Sequence, residues 1–158
     1  MHILIVTDLL FTGKMRGNRN RVNAYYDYLC AHHNVDVIDQ LTSYTVARYL
    51  GAHPETDFVI VPYIWNAHVL DNTTHRKAKF IVDTLDCMSS RTQRFENAGH
   101  KFSKPYTVQA EIGLLRLFDH IMAITEDDAN SFRRMGFNNV FTVPLSLQHH
   151  HRSLSLGS

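Results

Sequence analysis

Six short apolar runs, separated by longer segments with helical spacing, constrain this fold more than any other feature of the sequence. The runs lie near residues 2–7, 35–38, 58–61, 80–83, 121–124 and 140–143. Most of them are apolar at consecutive positions, although Asp36 interrupts the second and Thr142 the last. Continuous apolar character is typical of strands buried on both faces. Strands that alternate with helices form right-handed βαβ units. The pattern predicts an α/β fold, a Rossmann-like doubly wound parallel sheet of about six strands in a single domain.

The segments between the runs predict five helices. The first has Val22, Tyr25, Tyr26, Leu29 and Cys30 on one face, at the spacing of an amphipathic helix. A second is expected to begin at Thr42 and to stop at Gly51 and Pro54. Two more are expected at about 89–97 and about 104–118. The last should follow Thr125, whose acidic neighbours resemble a capping sequence, and should end near Gly136.

Composition limits the number of domains and the class of partner. A chain of 158 residues that is 44% hydrophobic can bury one good core but not two. We therefore expect one domain over residues 1–145. Residues 146–158 contain three consecutive histidines and are expected to be a disordered or vector-derived tail. A net charge of +1 gives no reason to expect nucleic acid as a partner.

Several features predict a cytoplasmic protein. Cys30 and Cys87 are too few for a disulfide framework and suit a reducing compartment. The opening MHILIVTD lacks a basic leader region and predicts a buried strand instead of a signal peptide. No apolar run approaches the roughly 18 residues that would span a bilayer, so we expect no transmembrane segment. A peripheral position on a membrane surface remains compatible with this pattern.

The segment from Leu9 to Arg21 is the first candidate site. It matches neither the dinucleotide-binding glycine fingerprint nor a phosphate-binding Walker loop. Its cations stand beside Gly17 and Asn18 near a predicted helix N-terminus, where a diphosphate or a carboxylate would bind well. The cations are Lys14, Arg16, Arg19 and Arg21. A solvated basic loop without a ligand is the alternative interpretation.

Carboxylates form the second and third candidates. Asp83 and Asp86 follow a predicted strand and precede Arg91, so they are placed where ligands bind in parallel sheets. They could orient a sugar hydroxyl or accept a proton, or they could serve only local capping and pairing. Glu111 lies on an apolar helix stripe and must either contact a cation or line a cleft. The histidines at 68, 75, 100 and 120 lack metal-ligand spacing, so we predict no metal site.

The order of these features resembles a known family. A first strand leads through a Gly-and-Arg segment into a helix with Arg21, and a later strand ends in Asp-Thr-x-Asp before Arg91. A helix with Glu111 and the sequence Ile-Met-Ala-Ile-Thr-Glu follow. Over about residues 2–145 this is similar to the N-terminal domain of retaining, B-type glycosyltransferases, which have two Rossmann domains, of the glycogen-synthase-like and sucrose-synthase-like group.

The resemblance implies an enzyme domain that binds a glycan or small-molecule acceptor and forms one wall of the cleft for a nucleoside-diphosphate sugar donor. The donor is a substrate, so no cofactor is implied. A donor-binding domain would follow Pro144 or come from a separate subunit. Asp83 and Asp86 would be catalytic. The residues expected to bind substrate or phosphate are Gly17, Asn18, Arg19, Arg21, Arg91 and Glu111.

One departure from the family leaves two other interpretations open. Leu85 stands where the family has a histidine that faces the acceptor. The chain could therefore be a non-catalytic Rossmann-like binding module. The basic segment also permits a flavodoxin-like protein that handles nucleotides or phosphate.

The run 62–65 past a strand end contains two aromatic residues. It predicts an apolar surface for self-association, unless Trp65 packs into the core.

Overall fold

Six strands pair side by side in one sheet, and every pairing between neighbours is parallel. The computed structural model describes residues 1–9, 16–71, 77–101, 103 and 105–144. The strands are β1 (His2–Val6), β2 (Asn34–Ile38), β3 (Phe58–Pro62), β4 (Lys79–Asp83), β5 (His120–Ala123) and β6 (Val140–Thr142). The predicted parallel α/β sheet of about six strands is confirmed.

Five α-helices and one 3₁₀ helix connect these strands in the described part of the chain. They are α1 (Arg16–His32), α2 (Ser43–Ala52), the 3₁₀ helix Ile64–Leu70, α3 (Met88–Asn97), α4 (Val108–Leu115) and α5 (Glu126–Arg134). Threonine hydroxyls cap three of them: Thr42, Thr107 and Thr125 accept from backbone N–H groups three residues on. The predicted caps at Thr42 and Thr125 are confirmed.

The strand order determines which face of the sheet each helix covers. The order is β2-β1-β3-β4-β5-β6. The chain places β2 on one side of β1 and then adds β3, β4, β5 and β6 in sequence on the other side. Because parallel crossovers are right-handed, this reversal places α1 on one face and the later helices on the opposite face. The fold is therefore doubly wound, with a switch point between β1 and β3.

Side-chain alternation along the strands supplies a core on each face. Leu4 and Val6 point to the larger core, where Phe80 and Phe132 are completely buried. Ile3 and Ile5 point the other way and pack with aromatic and leucine side chains of α1. Because helices cover both faces of the sheet, the strands need apolar side chains on both sides, as the sequence pattern predicted.

Two predicted helix boundaries were wrong. The segment Gly17–Arg21 is not a loop, since α1 already begins at Arg16. The helix predicted from about 104 begins only at Val108, because Thr107 takes the capping position. By contrast, α2 ends at Ala52, between the predicted stop signals Gly51 and Pro54.

The aromatic run after β3 does not supply the apolar surface that motivated a prediction of self-association. Tyr63 and Ile64 are buried, and Trp65 is only partly exposed. The rings of Tyr63 and Trp65 stack with their centroids 4.2 Å apart. Trp65 packs against the larger core, as the alternative interpretation predicted. In the part of the chain that the structure describes, no helix has the length and apolar character needed to cross a membrane.

Replacing Phe80 should test the larger core. We expect Phe80→Ala to lower the free energy of unfolding by about 3–5 kcal/mol, because the ring is fully buried and its loss leaves a cavity. Phe141→Ala is the matched control, since its ring is 40% exposed, and we expect a change within about 1 kcal/mol. Urea unfolding followed by circular dichroism measures both, and equal losses would contradict this description of the core.

Candidate functional site

The carboxyl edge of the sheet brings together the segments that follow β1, β3 and β4. Thr7 follows β1, Tyr63 follows β3, and residues 84–86 follow β4. Tyr63 has φ 70° and ψ 132°, a conformation that costs free energy for a residue with a side chain. Its N–H donates to the Asp83 carbonyl oxygen at 2.9 Å, which fixes the two strand ends together. This edge is where ligands bind in open parallel sheets.

Asp83 is held in a buried ion pair with Arg21. The carboxylate is 2% exposed and accepts from Arg21 Nε at 2.9 Å and 3.1 Å. Arg21 Nη2 lies 2.7 Å from Oδ1, a close ionic contact without hydrogen-bonding alignment. The remaining nitrogen, Nη1, donates to the Val143 carbonyl oxygen at 2.5 Å. Arg21 thus joins α1 to the ends of β4 and β6.

Burial dominates the protonation chemistry around this pair. It raises the pKa of Asp83 above its ordinary value, and the hydrogen bonds and charge of Arg21 offset only part of this rise. Tyr25 is one helical turn from Arg21, and its hydroxyl is buried near the carboxylate. Burial, followed by the negative charge of Asp83, raises the pKa of Tyr25 well above its ordinary value. The hydroxyl therefore stays protonated and can donate toward Asp83.

Asp86 and Arg91 form a second, half-exposed ion pair. Arg91 Nη1 donates to Asp86 Oδ2 at 2.6 Å. The two side chains line an open groove of about 480 Å³ that begins at the end of β4 and follows one face of α3. The other lining residues are Arg94, Phe95, Ala98 and His100. The groove volume falls within the range of small-molecule sites, about 300–1,000 Å³.

Glu111 is fully buried and caps a helix. Its two carboxylate oxygens accept from the backbone N–H groups of Met88 and Ser89 at 2.7 Å and 2.8 Å. These are the first residues of α3, whose N-terminus favours a negative charge. Glu111 therefore occupies the position where a ligand anion would bind, and its oxygens do not reach the groove. The buried stripe of α4 carries Glu111 and Leu115, whereas Val108 is exposed.

The other candidates are dispersed. Gly17 and Asn18 lie in the first turn of α1, and Arg19 follows them with a partly exposed side chain. Lys14 lies outside the described residues. The structure therefore brings together Asp86 with Arg91 and Arg21 with Asp83, and it places Glu111 in a separate buried position.

Sequence reasoning predicted Asp86 and Arg91 as site residues but missed the other side chains that line the groove. Arg91, Arg94, Phe95 and Ala98 have spacings i, i+3, i+4 and i+7, which place them on one face of α3. That spacing was visible in the sequence. The same pattern is typical of a solvated helix surface, so it does not by itself indicate a binding site. By contrast, no local signal marks the contact between Arg21 and Asp83, which are 62 residues apart.

The chain matches no protein-family model, no curated protein and no solved structure. The parallel α/β fold follows from the structure itself, and the resemblance to B-type glycosyltransferases remains a hypothesis based on motif order.

The Arg21–Asp83 pair should behave as a buried structural pair. We expect Asp83→Asn and Arg21→Met each to lower the free energy of unfolding by about 3–5 kcal/mol, because each leaves a buried polar partner uncompensated. The double variant Arg21→Met/Asp83→Asn should lose less than the sum of the two single variants. Asp86→Asn is the matched control at a half-exposed pair, with a loss below about 1 kcal/mol. Denaturant unfolding of the parent chain, the two single variants and the double variant gives the coupling energy between Arg21 and Asp83. Single-variant losses equal to that of Asp86→Asn would contradict the description of a buried structural pair.

The cap formed by Glu111 generates a separate prediction. Glu111→Ala should lower the free energy of unfolding by about 2–4 kcal/mol, since two buried backbone N–H groups lose their acceptor. Glu111→Gln keeps one amide oxygen as an acceptor, so its loss should be smaller. Hydrogen exchange at the Met88 and Ser89 amides reports the cap directly and should accelerate in the alanine variant. Unchanged exchange at both amides would show that Glu111 does not cap α3.

Proposed function

We propose that this chain is the acceptor-side domain of a glycosyltransferase that uses a nucleoside-diphosphate sugar as donor. The observation that carries the proposal is the groove along α3, in which a carboxylate, two guanidinium groups and an aromatic ring face one open volume of about 480 Å³. In this proposal the groove binds the acceptor sugar, and a separate domain or subunit binds the nucleoside of the donor.

The groove presents the kinds of group that recognise sugars. Asp86 accepts hydrogen bonds from hydroxyl groups, and Arg91 donates to hydroxyl oxygens, so the pair can bind neighbouring hydroxyls of a pyranose ring. Phe95 is 37% exposed and offers an apolar face to the C–H side of the ring. Arg91 lies over this ring at 5.9 Å from the centroid, so it is partly oriented before a ligand binds.

Charge narrows the acceptor class. With its histidine neutral, the groove holds two guanidinium groups and one carboxylate, which is a net charge of +1. A sugar with an acidic group would gain an ionic contact with Arg94 while Asp86 and Arg91 contact its hydroxyls. We therefore expect uronic or phosphorylated sugars to bind more tightly than neutral ones.

The two aspartates then have different roles. Asp86 is the carboxylate that faces the groove, so it is our candidate for contact with the acceptor hydroxyl. Asp83 is nearly inaccessible and pairs with Arg21, so we assign it a positioning role at the end of β4. Leu85 contacts the apolar cluster of Leu9, Val22 and Tyr63 and supplies no group for proton transfer.

The strand order supports a second candidate function. The order β2-β1-β3-β4-β5 is that of flavodoxin-like proteins, which bind ligands at the switch point between β1 and β3. Tyr63, with its unfavourable backbone angles, lies at that point. This favours a protein that binds a nucleotide or phosphate at the ends of β1 and β3, away from the α3 groove.

Ligand titration followed by backbone amide NMR separates the two candidates. We would titrate the chain with maltose, N-acetylglucosamine, glucuronic acid, glucose 6-phosphate, uridine diphosphate and inorganic phosphate. The first proposal expects an acidic sugar to shift amides of residues 86–100. Arg91→Ala should weaken this binding at least about tenfold, or about 1.4 kcal/mol. The matched control Arg134→Ala changes an exposed arginine on α5 and should leave the affinity unchanged.

Two outcomes would contradict the first proposal. If uridine diphosphate or phosphate shifts amides near residues 7–9 and 63 while no sugar shifts those of α3, the second candidate is favoured. If a sugar binds with equal affinity to the parent chain and to Arg91→Ala, the groove is not the acceptor site. Melting temperatures of both arginine variants should match the parent, which confirms that lost binding is not lost folding.

A further inference from the structure

We propose that His2, His53 and Glu55 form a binding site for a divalent transition metal, with Zn²⁺ as the expected ion. The three residues lie at the amino edge of the sheet, where β1 begins and where the connection from α2 to β3 passes. The site is at the opposite end of the strands from the carboxyl-edge loops, so it does not depend on the function proposed above.

Two of the three separations between the proposed ligand atoms are close to those of a metal site. One nitrogen from each histidine and one glutamate oxygen lie within 4.8 Å of one another. Glu55 Oε1 is 3.3 Å from His2 Nδ1 and 3.0 Å from His53 Nδ1. Ligands at about 2.0–2.2 Å from a tetrahedral Zn²⁺ are themselves about 3.3 Å apart, so only small movements are needed to admit the ion.

An outer partner orients His2 in the manner of known zinc sites. The Nε2 atom of His2, opposite the proposed ligand atom, is 2.8 Å from Asp36 Oδ2. Metal-ligating histidines commonly donate their other N–H to a carboxylate, which fixes the tautomer and strengthens the ligand. The Tyr49 hydroxyl donates to the same Asp36 oxygen and so holds the carboxylate in place.

The backbone around the site is also fixed. The His2 N–H donates to Asp57 Oδ2 at 2.9 Å, which anchors the start of β1. Thr56 is buried, and both its N–H and its hydroxyl donate to the His53 carbonyl oxygen, at 3.1 Å and 2.9 Å. The imidazole of His53 stacks on Tyr49 with ring centroids 4.3 Å apart. The ligands are thus held by both backbone and side-chain contacts before an ion arrives.

The ligand set indicates the class of metal and the openness of the site. Two imidazoles and one carboxylate are the protein ligands of several catalytic zinc centres, which leave a further position for water or a substrate atom. Glu55 is 57% exposed, so this further position faces solvent. Ca²⁺ and Mg²⁺ prefer oxygen ligands throughout and do not suit two histidines.

Without a metal, the same contacts would be hydrogen bonds between imidazoles and carboxylates, so the experiment must distinguish the two cases. The tract 149–151 is three consecutive histidines and could bind metal by itself. All measurements therefore use a parent chain in which these three residues are alanine. Zn²⁺ binding is measured by competition with a chromophoric chelator, and Co²⁺ is added as a spectroscopic probe of tetrahedral geometry.

The proposal expects about one equivalent of Zn²⁺ per chain and the intense visible bands of tetrahedral Co²⁺. His53→Ala and Glu55→Gln should each weaken Zn²⁺ binding at least about tenfold and abolish the Co²⁺ bands. Asp36→Asn should weaken binding about 10–100-fold while the bands persist, since it removes the partner that orients His2 and not a ligand. His68→Ala is the matched control at an exposed histidine outside both proposed sites, and it should leave Zn²⁺ binding and the Co²⁺ bands unchanged.

Thermal unfolding gives an independent readout. Zn²⁺ should raise the melting temperature of the parent chain but not that of His53→Ala, because the ion stabilises only a folded chain that binds it. The melting temperature of each variant without metal shows whether the variant is folded. Absence of stoichiometric binding by the parent, or equal binding by the parent and His53→Ala, would overturn the proposal.

Discussion

The ion pair between Arg21 and Asp83 is the contact on which the carboxyl edge of this sheet depends. It connects α1, which covers one face, to the end of β4, and through Val143 to the segment after β6. A guanidinium in this position must satisfy its donors inside the protein, because little water reaches it. Removing either partner would leave the other buried and charged, so the pair constrains both the helix and the strand end.

The contact between Glu111 and the N-terminus of α3 is a second internal pairing that bears on function. The N-terminus of α3 lies at the carboxyl edge and would ordinarily suit a phosphate or carboxylate ligand. Glu111 from α4 fills that position and satisfies two of its N–H groups. Asp83 and Glu111, which the sequence suggests as site residues, thus stabilise the fold. The ionisable groups left facing the open groove are Asp86, Arg91, Arg94 and His100.

The fold could be predicted from the sequence because its determinants are local. Continuous apolar runs, threonine caps and helical spacing depend on neighbouring residues, and they located all six strands. The position of α1 was less predictable, since glycine and arginine at residues 16–21 suggest a loop until Arg21 is seen to be buried. Partners of charged residues depend on tertiary contacts. Asp83 meets a residue 62 positions away, and His2 meets side chains more than 50 positions away.

Backbone hydrogen bonds fix the segment that carries Asp86 to the groove. Asp86 is three residues beyond Asp83, and the intervening backbone is held at both ends. The Thr84 N–H donates to the Met122 carbonyl oxygen at 2.9 Å, and the Cys87 N–H donates to Asp128 Oδ1 at 3.2 Å. A binding side chain is most effective when the structure beneath it fixes its position. Backbone hydrogen bonds at Thr84 and Cys87 thus hold the segment in which Asp86 faces the groove, while Asp83 ties the preceding strand end to α1 through Arg21.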